Sequence, residues 1–186
     1  MLITAPQTVI GSGVVFNVEA FFKELTQLES QGVSRVHERI HVSSRCHLNF
    51  ALHAVVDGLS ESEKTLAKNQ IGTTKRGIGP AYSTKAARDG LRIIDIYHES
   101  FEPRLRSLAD NYRKRYGESL TSLYSVEDEI QKFKGYKEQL RPYIVDAVVF
   151  MKEKRSILVE SSQALMLDLD FGSYPFVTSS HCSLGK

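Results

Sequence analysis

The sequence predicts a mixed α/β fold, because short β-branched runs alternate with longer segments whose apolar residues repeat at helical spacing. Thr8 to Ile10 and Val14 to Phe16 are two such runs, and a Gly-Ser-Gly turn separates them. From Val18 onward, apolar side chains recur every three or four residues. This spacing predicts a helix with Asn17 as its N-cap and Gly32 as its stop.

The middle of the chain continues this alternation. Ile40 to Ser43 predicts a strand, and the apolar spacing from Leu48 to Leu59 predicts the helix that follows. Two more helices are expected from Pro103 to Tyr116 and from Ser125 to Leu140, the second opened by a Ser-x-x-Asp sequence related to the capping box. They form a helical subregion of about residues 100–142.

The last part of the chain predicts a helix and then a strand. Tyr143 to Met151 is expected to be a helix whose apolar face packs on the sheet. Ser156 to Val159 is a short apolar run bounded by polar residues, which is typical of a buried strand in a parallel sheet. Ligands of open α/β sheets bind beyond the carboxyl ends of strands, so Glu160 to Gln163 are expected at a binding crevice. With no internal repeat or low-complexity linker, residues 1–186 are predicted to form a single domain.

The composition is that of a soluble globular chain, with 41% hydrophobic and 25% charged residues. A net charge of +2 is too small to argue for a nucleic-acid or membrane partner, and no apolar run reaches the roughly 18 residues of a spanning helix. We expect no signal peptide, and Cys46 and Cys182 lie far apart in the sequence, so we expect a cytoplasmic protein with reduced thiols. An RNA-binding alternative would rest on the Arg- and Lys-rich helices alone, which lack interleaved aromatics on a sheet.

Ile71 to Arg88, IGTTKRGIGPAYSTKAAR, has the layout of a phosphate-binding loop that opens a helix. Its glycines let backbone N–H groups turn inward on a ligand, and its threonine hydroxyls and the helix N-terminus favour an anion. Pro80 suits the first helical turn, where its missing N–H is no loss. Lys85 and Arg88 fall at i and i+3, which predicts one cationic helix face.

Two general nucleotide motifs do not fit this segment. A Walker A loop needs Lys and then Ser or Thr after its second glycine, whereas Gly77 is followed by Ile78 and Gly79. A dinucleotide-binding loop needs a third glycine and a preceding strand, and both are missing here. When the segment is considered by itself, a cationic surface turn before a helix remains the alternative.

The segment does resemble the signature of the adenylosuccinate synthetase family, which is close to GTTGRGIGPxYxxKxxR. Leu158 to Ser180, LVESSQALMLDLDFGSYPFVTSS, resembles a second family pattern, VEGAQ or VEGAN followed by LDxDFGTYPxVTSS. Stretches such as VIGSGVV from Val9 and QLRPYIVDAVVFM from Gln139 are also similar to the family's middle. The family's QWGDEGKGK loop, GHT segment and aspartate-binding loop have no counterpart here, which indicates a central fragment of a longer enzyme.

The resemblance implies part of a P-loop-NTPase-like sheet, mixed and mostly parallel, with flanking helices and a helical insertion. It also implies a ligase that joins IMP and L-aspartate with GTP and Mg2+ in purine (AMP) biosynthesis and works as a homodimer. The catalytic Asp and His, the main GTP and Mg2+ ligands and the aspartate loop would lie outside this chain. We therefore expect no metal site within it and no synthetase activity from the chain alone.

By the same resemblance, Lys85 and Gln163 are the candidate catalytic residues. Thr74 and Thr178 would bind the 5′-phosphate of IMP, and Gln163 would address the base and the charge that develops at O6. Arg88 would reach the IMP phosphate of the neighbouring subunit, because residues two turns along its helix point away from the loop that precedes it.

Three residues and one connection depart from the family pattern. Lys75 stands where members usually have Gly, and a positive φ there would cost a lysine roughly 1 kcal/mol. Ser161 replaces the glycine of VEG, His181 replaces the usual Asn after TSS, and the joint between Met151 and Ser156 is several residues shorter than usual. These departures keep open a second interpretation, a non-catalytic nucleotide-phosphate binding pseudoenzyme or an inactive truncated copy.

Overall fold

The computed structural model describes residues 6–66 and 72–183, so Ile71, the first residue of the loop motif, lies outside the described residues. The strands are β1 (Thr8–Ile10), β2 (Val15–Phe16), β3 (Ile40–Ser43), β4 (His47–Leu48) and β5 (Ile144–Val145). The α-helices are α1 (Val18–Ser30), α2 (Val36–Arg39), α3 (Ala51–Leu66), α4 (Ile78–Ala87), α5 (Phe101–Tyr116), α6 (Glu118–Thr121), α7 (Val126–Leu140) and α8 (Ala147–Lys152). Single 3-10 segments cover Ile93–Tyr97, Arg141–Tyr143 and Leu165–Leu167.

The strands form two parallel arrangements. β3 is the central strand of the larger sheet, since β1 and β5 pair with it on either side. Thr8 lies opposite Ile40 in this sheet, and Val42 lies opposite Ile144. β2 and β4 make a two-stranded parallel pair. Parallel strands that alternate with helices confirm the predicted α/β fold class.

Helix caps that are visible in the sequence form as predicted. The side chain of Asn17 accepts a hydrogen bond from the N–H of Ala20 at 2.9 Å, and Ser125 accepts from the N–H of Asp128 at 3.2 Å. Each cap satisfies an N–H that has no partner inside its helix, which fixes where α1 and α7 begin. Among the described residues, no helix combines the length and apolar character needed to cross a membrane.

One buried apolar cluster joins the strands to the helical subregion. Val42 of β3 is fully buried in it, as is Leu105 of α5. Phe50, just before α3, places its ring 5.1 Å from that of Phe133 on α7 and 6.4 Å from that of Phe101 on α5. The start of α3 therefore lies at the meeting point of sheet and helices.

A side chain distant in sequence caps α3. The carboxylate of Glu129, on α7, accepts hydrogen bonds from the N–H of Ala51 at 2.7 Å and of Leu52 at 3.3 Å. Burial raises the pKa of this carboxyl, while the two N–H donors oppose the shift. The cap also explains why α3 begins at Ala51, later than the predicted Leu48, which lies in β4.

The strand predicted at Ser156 to Val159 does not form, and this prediction is wrong. The segment has no regular structure, and Leu158 and Val159 are 95% and 67% exposed. Only residues 146–155 separate it from β5, and α8 occupies most of them. A parallel crossover needs about a dozen residues or more, so the apolar run cannot return to pair beside β5.

The helix predicted from Tyr143 to Met151 is correct only in its second part. Ile144 and Val145 form β5, and α8 starts at Ala147 with Asp146 as its N-cap. The β-branched pair finds a ladder position beside β3, and this tertiary pairing overrides the helical spacing of the apolar residues.

Replacing Glu129 with alanine leaves the N–H groups of Ala51 and Leu52 without their acceptor inside the protein. We expect the free energy of unfolding to fall by about 2–3 kcal/mol, as is typical when buried donors lose a charged acceptor. Glu127→Ala is the matched control, because Glu127 is exposed on the same helix and pairs with Arg106 at 2.9 Å. Such a surface pair contributes about 0–1 kcal/mol. Urea denaturation measures both variants, and equal losses would contradict the capping role.

Candidate functional site

Gly77 ends the loop of residues 72–77, and its backbone lies directly against α3. Its φ of 77° is left-handed, and a Cβ there would lie 2.5 Å from the backbone N of Ala54 and the backbone C of His53. Its N–H donates to the Oδ2 of Asp57 at 3.0 Å. Only glycine satisfies both the conformation and the close approach, so α3 fixes where the loop ends.

Two further contacts hold this loop. The carboxylate of Glu61 accepts from the N–H of Gly72 at 2.9 Å, and the side chain of Asn49 donates to the C=O of Arg76 at 2.9 Å. Between them, Lys75 has a φ of 53°, so this position adopts the left-handed conformation that a glycine would take without strain.

α4 begins at Ile78, slightly before the predicted Pro80, which lies in its first turn. The first intrahelical bond runs from the N–H of Ala81 to the last carbonyl of the loop at 3.0 Å, so the N–H groups of Ile78 and Gly79 have no intrahelical partner. A Cβ on Gly79 would lie 3.3 Å from the Oγ of Ser179. The helix N-terminus therefore packs closely on the segment that contains Thr178.

A cavity of about 440 Å3 lies where these elements meet, and Thr74, Gln163 and Thr178 all line it. Thr74 comes from the loop, and the other two come from separate turns of the C-terminal segment. The remaining lining residues come from α3, α5, α4 and the neighbours of Thr74 and Thr178: Val56, Asp57, Ser60, Lys64, Tyr112, Arg115, Tyr116, Ile78, Gly79, Pro80, Ser83, Gly72, Thr73 and Ser179. The structure thus brings together three of the predicted site residues.

Hydrogen bonds among hydroxyl and amide groups orient Gln163. Buried Ser180 donates to its Oε1 at 2.6 Å, and the hydroxyl of Ser162 donates to the same oxygen at 3.2 Å. The Oγ1 of Thr178 lies 3.2 Å from the Oγ of Ser180. With its oxygen occupied in this way, Gln163 has an Nε2 amide that makes no hydrogen bond within the described part of the chain.

Lys85 lies outside this cavity. Its Nζ donates to the C=O of Ser12 at 3.1 Å, and the neighbouring Tyr82 donates its hydroxyl to the C=O of Gly13 at 2.8 Å. Both side chains line a second and larger cavity of about 2020 Å3, bounded by the β1–β2 turn and residues 156–162. Burial lowers the pKa of Lys85.

Arg88 does not continue the helix face of Lys85, and this part of the prediction is wrong. α4 ends at Ala87, and Arg88 is its C-cap with a left-handed φ of 70°. The N–H groups of Asp89 and Gly90 then both bond to the C=O of Thr84 at 3.0 Å, which closes the helix end. Arg88 is exposed at the end of α4 opposite the cavity.

Comparison with known proteins decides the ancestry that the two motifs suggest. The family described as adenylosuccinate synthetase matches the chain over residues 1–186. The chain belongs to this family. The adenylosuccinate synthetases of Pyricularia oryzae and Yarrowia lipolytica are 56% and 48% identical to it over 95% and 96% of this chain.

A solved structure of the same family has the same fold. The fully ligated adenylosuccinate synthetase from Plasmodium falciparum superposes with a TM-score of 0.84 at 38% identity, covering 96% of this chain and 42% of its own. The chain covers 42% and 43% of the Pyricularia and Yarrowia proteins. It therefore spans about two fifths of the length of the adenylosuccinate synthetases that it matches.

Asp168 organises the LDLDFG motif that the chain shares with the family pattern. Its fully buried carboxylate accepts four backbone N–H groups, those of Asp170 at 2.9 Å, Phe171 at 3.2 Å, Cys182 at 2.5 Å and Ser183 at 3.2 Å. The bond from Cys182 contributes most to holding the pKa of Asp168 below its usual value. The carboxylate therefore ties the two ends of the C-terminal segment together.

Asp168, Asp170 and His181 also place possible metal ligands within 4.8 Å of one another. The Asp168 carboxylate is already directed at four N–H donors, which leaves it no oxygen lone pair for a cation. Mg2+ takes octahedral oxygen ligands. This cluster therefore does not fit the magnesium ion that the family implies.

Sequence reasoning missed three charged residues that line the 440 Å3 cavity, namely Asp57, Lys64 and Arg115. The side chain of Arg115 is 63% exposed, and it also borders the cavity. All three lie on helices whose polar residues look like an ordinary surface, and no local motif marks them. Only the packing of α3 and α5 against the loop reveals them.

Replacing Gly77 with alanine forces a Cβ into the backbone of α3. We expect the free energy of unfolding to fall by about 3 kcal/mol or more, because the steric overlap adds to the strain of a left-handed residue. Gly58→Ala is the control, since Gly58 lies inside α3 with no atom within 4 Å of its would-be Cβ. That change should raise stability by up to about 1 kcal/mol. Thermal and urea unfolding of the two variants should shift in opposite directions; equal shifts would overturn the assignment.

Proposed function

We propose that the protein to which this chain belongs is an adenylosuccinate synthetase, a ligase that joins IMP and L-aspartate and converts GTP to GDP and phosphate. This chain contributes the IMP-binding part. The observation that carries the proposal is the convergence of Thr74, from the loop, with Gln163 and Thr178, from two turns of the C-terminal segment, on one cavity of about 440 Å3.

The cavity suits the 5′-phosphate of a nucleotide. The hydroxyls of Thr74 and Thr178 can each donate a hydrogen bond to a phosphate oxygen. Ile78 and Gly79 line the same cavity, and their N–H groups at the start of α4 have no intrahelical partner. A helix N-terminus with free N–H groups favours an anion through both hydrogen bonds and its dipole.

The side chain of Gln163 is suited to hydrogen-bond the base of the nucleotide. Because Ser180 and Ser162 donate to its Oε1, its Nε2 is the end that is available to a ligand, and this end is a donor. In the proposed reaction, the O6 of IMP attacks the γ-phosphoryl of GTP and GDP leaves. The amine of aspartate then bonds to C6 of the base and displaces O6 as phosphate. A fixed donor beside O6 stabilises the negative charge that develops there when N1 loses its proton.

Lys85 remains a proposed catalytic residue, and it would act from the larger cavity. Its hydrogen bond to Ser12 and its place beside Tyr82 direct its ammonium away from the 440 Å3 cavity and toward the β1–β2 turn. GTP and Mg2+ are implied by the family. Since the one ligand cluster in the described part of the chain does not fit Mg2+, we derive no step through the ion from these residues.

Arg88 is proposed to act across a homodimer. α4 runs from the cavity at Ile78 to Ala87, a length of roughly 15 Å at about 1.5 Å per residue. An exposed cation at its far end cannot reach the phosphate site at its own helix start. A two-fold contact between subunits can bring it to the partner's site.

One observation favours the alternative of a pseudoenzyme or inactive copy. Ile157, Leu158 and Val159 are exposed instead of buried in a strand, so the segment leading to Gln163 lacks the sheet support that the motif was expected to have. Such a chain could bind a nucleotide phosphate without the rigid positioning that catalysis needs.

A chimera tests both interpretations. This chain would replace the matching segment of the Pyricularia oryzae enzyme, and adenylosuccinate formation from IMP, aspartate and GTP would be measured. We expect turnover, and Gln163→Glu should lower kcat by about 100-fold or more, because it replaces the donor at O6 with an acceptor. IMP binding without turnover would support the pseudoenzyme, and failure of the chimera to bind IMP would contradict the proposal.

The trans role of Arg88 predicts the behaviour of a mixed chimera dimer. One subunit would carry Arg88→Leu and the other Thr74→Ala, so that under the trans arrangement one site keeps both contacts and the other loses both. We expect one site of unaltered IMP affinity, the second being weakened by tens of fold, since a charge-assisted contact is worth roughly 1.5–3 kcal/mol. Calorimetric titration with IMP counts the sites, and two equally weakened sites would show that Arg88 serves its own subunit.

A further inference from the structure

α4 packs on α3 with small side chains. The buried residues of α4 are Ala81 and Thr84, which lie one helical turn apart on the same face. Small side chains make few van der Waals contacts, so packing alone fixes the rotation of α4 about its own axis only weakly. A directional contact between the two helices is needed to select one rotation.

His53 of α3 supplies this contact. Its side chain is fully buried, and its Nε2 lies 3.4 Å from the Oγ1 of Thr84. Its Nδ1 lies 3.1 Å from the backbone N of Phe50, and because an N–H can only donate, Nδ1 is the accepting nitrogen. The hydrogen of the neutral ring is therefore on Nε2, which donates to Thr84. Burial lowers the pKa of His53 to about 4, which keeps the ring neutral at neutral pH.

The hydroxyl of Thr84 continues this series of hydrogen bonds. It donates to the C=O of Ala81 at 3.0 Å, so it can only accept from His53. Each group from Phe50 to Ala81 thus has a single role, and the other tautomer of His53 would place two donors against each other at Nδ1. The side chain of Thr84 is thereby held at one angle around the axis of α4.

Lys85 follows Thr84 directly, so the angle of one residue sets that of the other, about 100° further around the helix. The Nζ of Lys85 donates to the C=O of Ser12 at 3.1 Å, and the rotation of α4 therefore decides whether this ammonium reaches the β1–β2 turn. At the outer radius of a helix, roughly 5–6 Å, a rotation of about 10° displaces a side-chain atom by about 1 Å.

We infer that His53 is a positioning residue: through its hydrogen bond to Thr84 it sets the rotation of α4 and so holds Lys85 at the β1–β2 turn. His53 and Thr84 are not among the described residues that line the two cavities at either side of α4, so they act only through the helix. The inference rests on the proposed function for the catalytic role of Lys85. The placement of its ammonium is a property of the fold and can be tested separately.

Kinetics of the chimera with the Pyricularia oryzae enzyme test this role. His53→Asn keeps an acceptor near Nδ1 for Phe50 but is too short to reach Thr84, and Thr84→Val removes the hydroxyl. Each should lower kcat by about 10- to 100-fold, because a displacement of about 1 Å can cost that much. The KM for IMP should change by less than about threefold, since Gly77 fixes the start of α4 independently. The double variant should lose no more than either single variant, because both remove the same bond.

Two conservative variants are the matched controls. His53→Gln keeps an amide donor near Nε2 for Thr84 and gives up the acceptor for Phe50, and Thr84→Ser keeps the hydroxyl. Both should retain kcat within about threefold of the unchanged chimera. His53→Gln and His53→Asn each remove one buried hydrogen bond, so thermal unfolding should show similar losses of stability for the two. A purely structural role of His53 would then lower kcat in both variants alike.

The ammonium of Lys85 gives a readout that does not depend on turnover. Burial lowers its pKa, so an ammonium that leaves the β1–β2 turn for solvent should return to its ordinary pKa. NMR titration of 13C-methylated lysines in the chimera, with the Lys85 signal assigned by Lys85→Arg, measures this value. We expect the pKa to rise in His53→Asn and Thr84→Val and to stay unchanged in His53→Gln and Thr84→Ser.

The two readouts separate this inference from the function on which it rests. If the unchanged chimera forms no adenylosuccinate, the proposed function is wrong, and the titration of Lys85 alone decides whether His53 positions it. An unchanged pKa of Lys85 in His53→Asn would overturn the inference whether or not the chimera turns over. Equal losses of kcat in His53→Asn and His53→Gln, or additive losses in the double variant with Thr84→Val, would overturn it as well.

Discussion

The contact of Gly77 with the backbone of α3 is the constraint on which the site depends. A Cβ would overlap Ala54 and His53, so the chain can pass this point only as glycine, and it passes close enough for Asp57 to take the glycine N–H. The loop is thereby held at its end, and α4 starts immediately beyond it with its N-terminus against the cavity. Thr74 is placed by this geometry, because it lies on a short loop with both ends fixed.

The opposite wall of the cavity depends on one buried carboxylate instead of a strand. Asp168 accepts N–H groups from both ends of its segment, at Phe171 and at Cys182, and so closes residues 168–183 into a compact turn. Thr178 and Ser180 lie within that turn, and Ser180 holds Gln163 through a 2.6 Å bond. Four hydrogen bonds to a charged acceptor can replace a ladder here, since each is roughly twice as strong as a neutral one. The two walls are therefore organised by independent local interactions.

Features set by neighbouring residues, such as helix caps, could be predicted from the sequence. Features set by contacts between residues far apart in the sequence could not. Asn17 and Ser125 are caps that the sequence predicts directly. The glycines of the loop were predicted to turn their N–H groups toward a ligand, but those of Gly72 and Gly77 bond to the carboxylates of Glu61 and Asp57. The start of α3 depends on Glu129 from another helix, which no local signal reveals. The place of Lys64 and Arg115 at the cavity could not be predicted either, because a charged helix surface has the same sequence pattern whether it faces water or a cavity.

The departures from the family pattern have unequal physical consequences. Lys75 adopts the left-handed conformation that a glycine would take without strain, which costs roughly 1 kcal/mol but leaves the loop held by its neighbours. Ser161 is not among the described residues with positive φ, so replacing glycine there adds no such strain. The short connection after α8 acts differently, because the strand predicted beyond it does not form: Leu158 and Val159 stay in solvent, whereas burial would contribute about 1.5–3 kcal/mol each. The connection length, more than any single substitution, therefore determines how firmly Gln163 is supported.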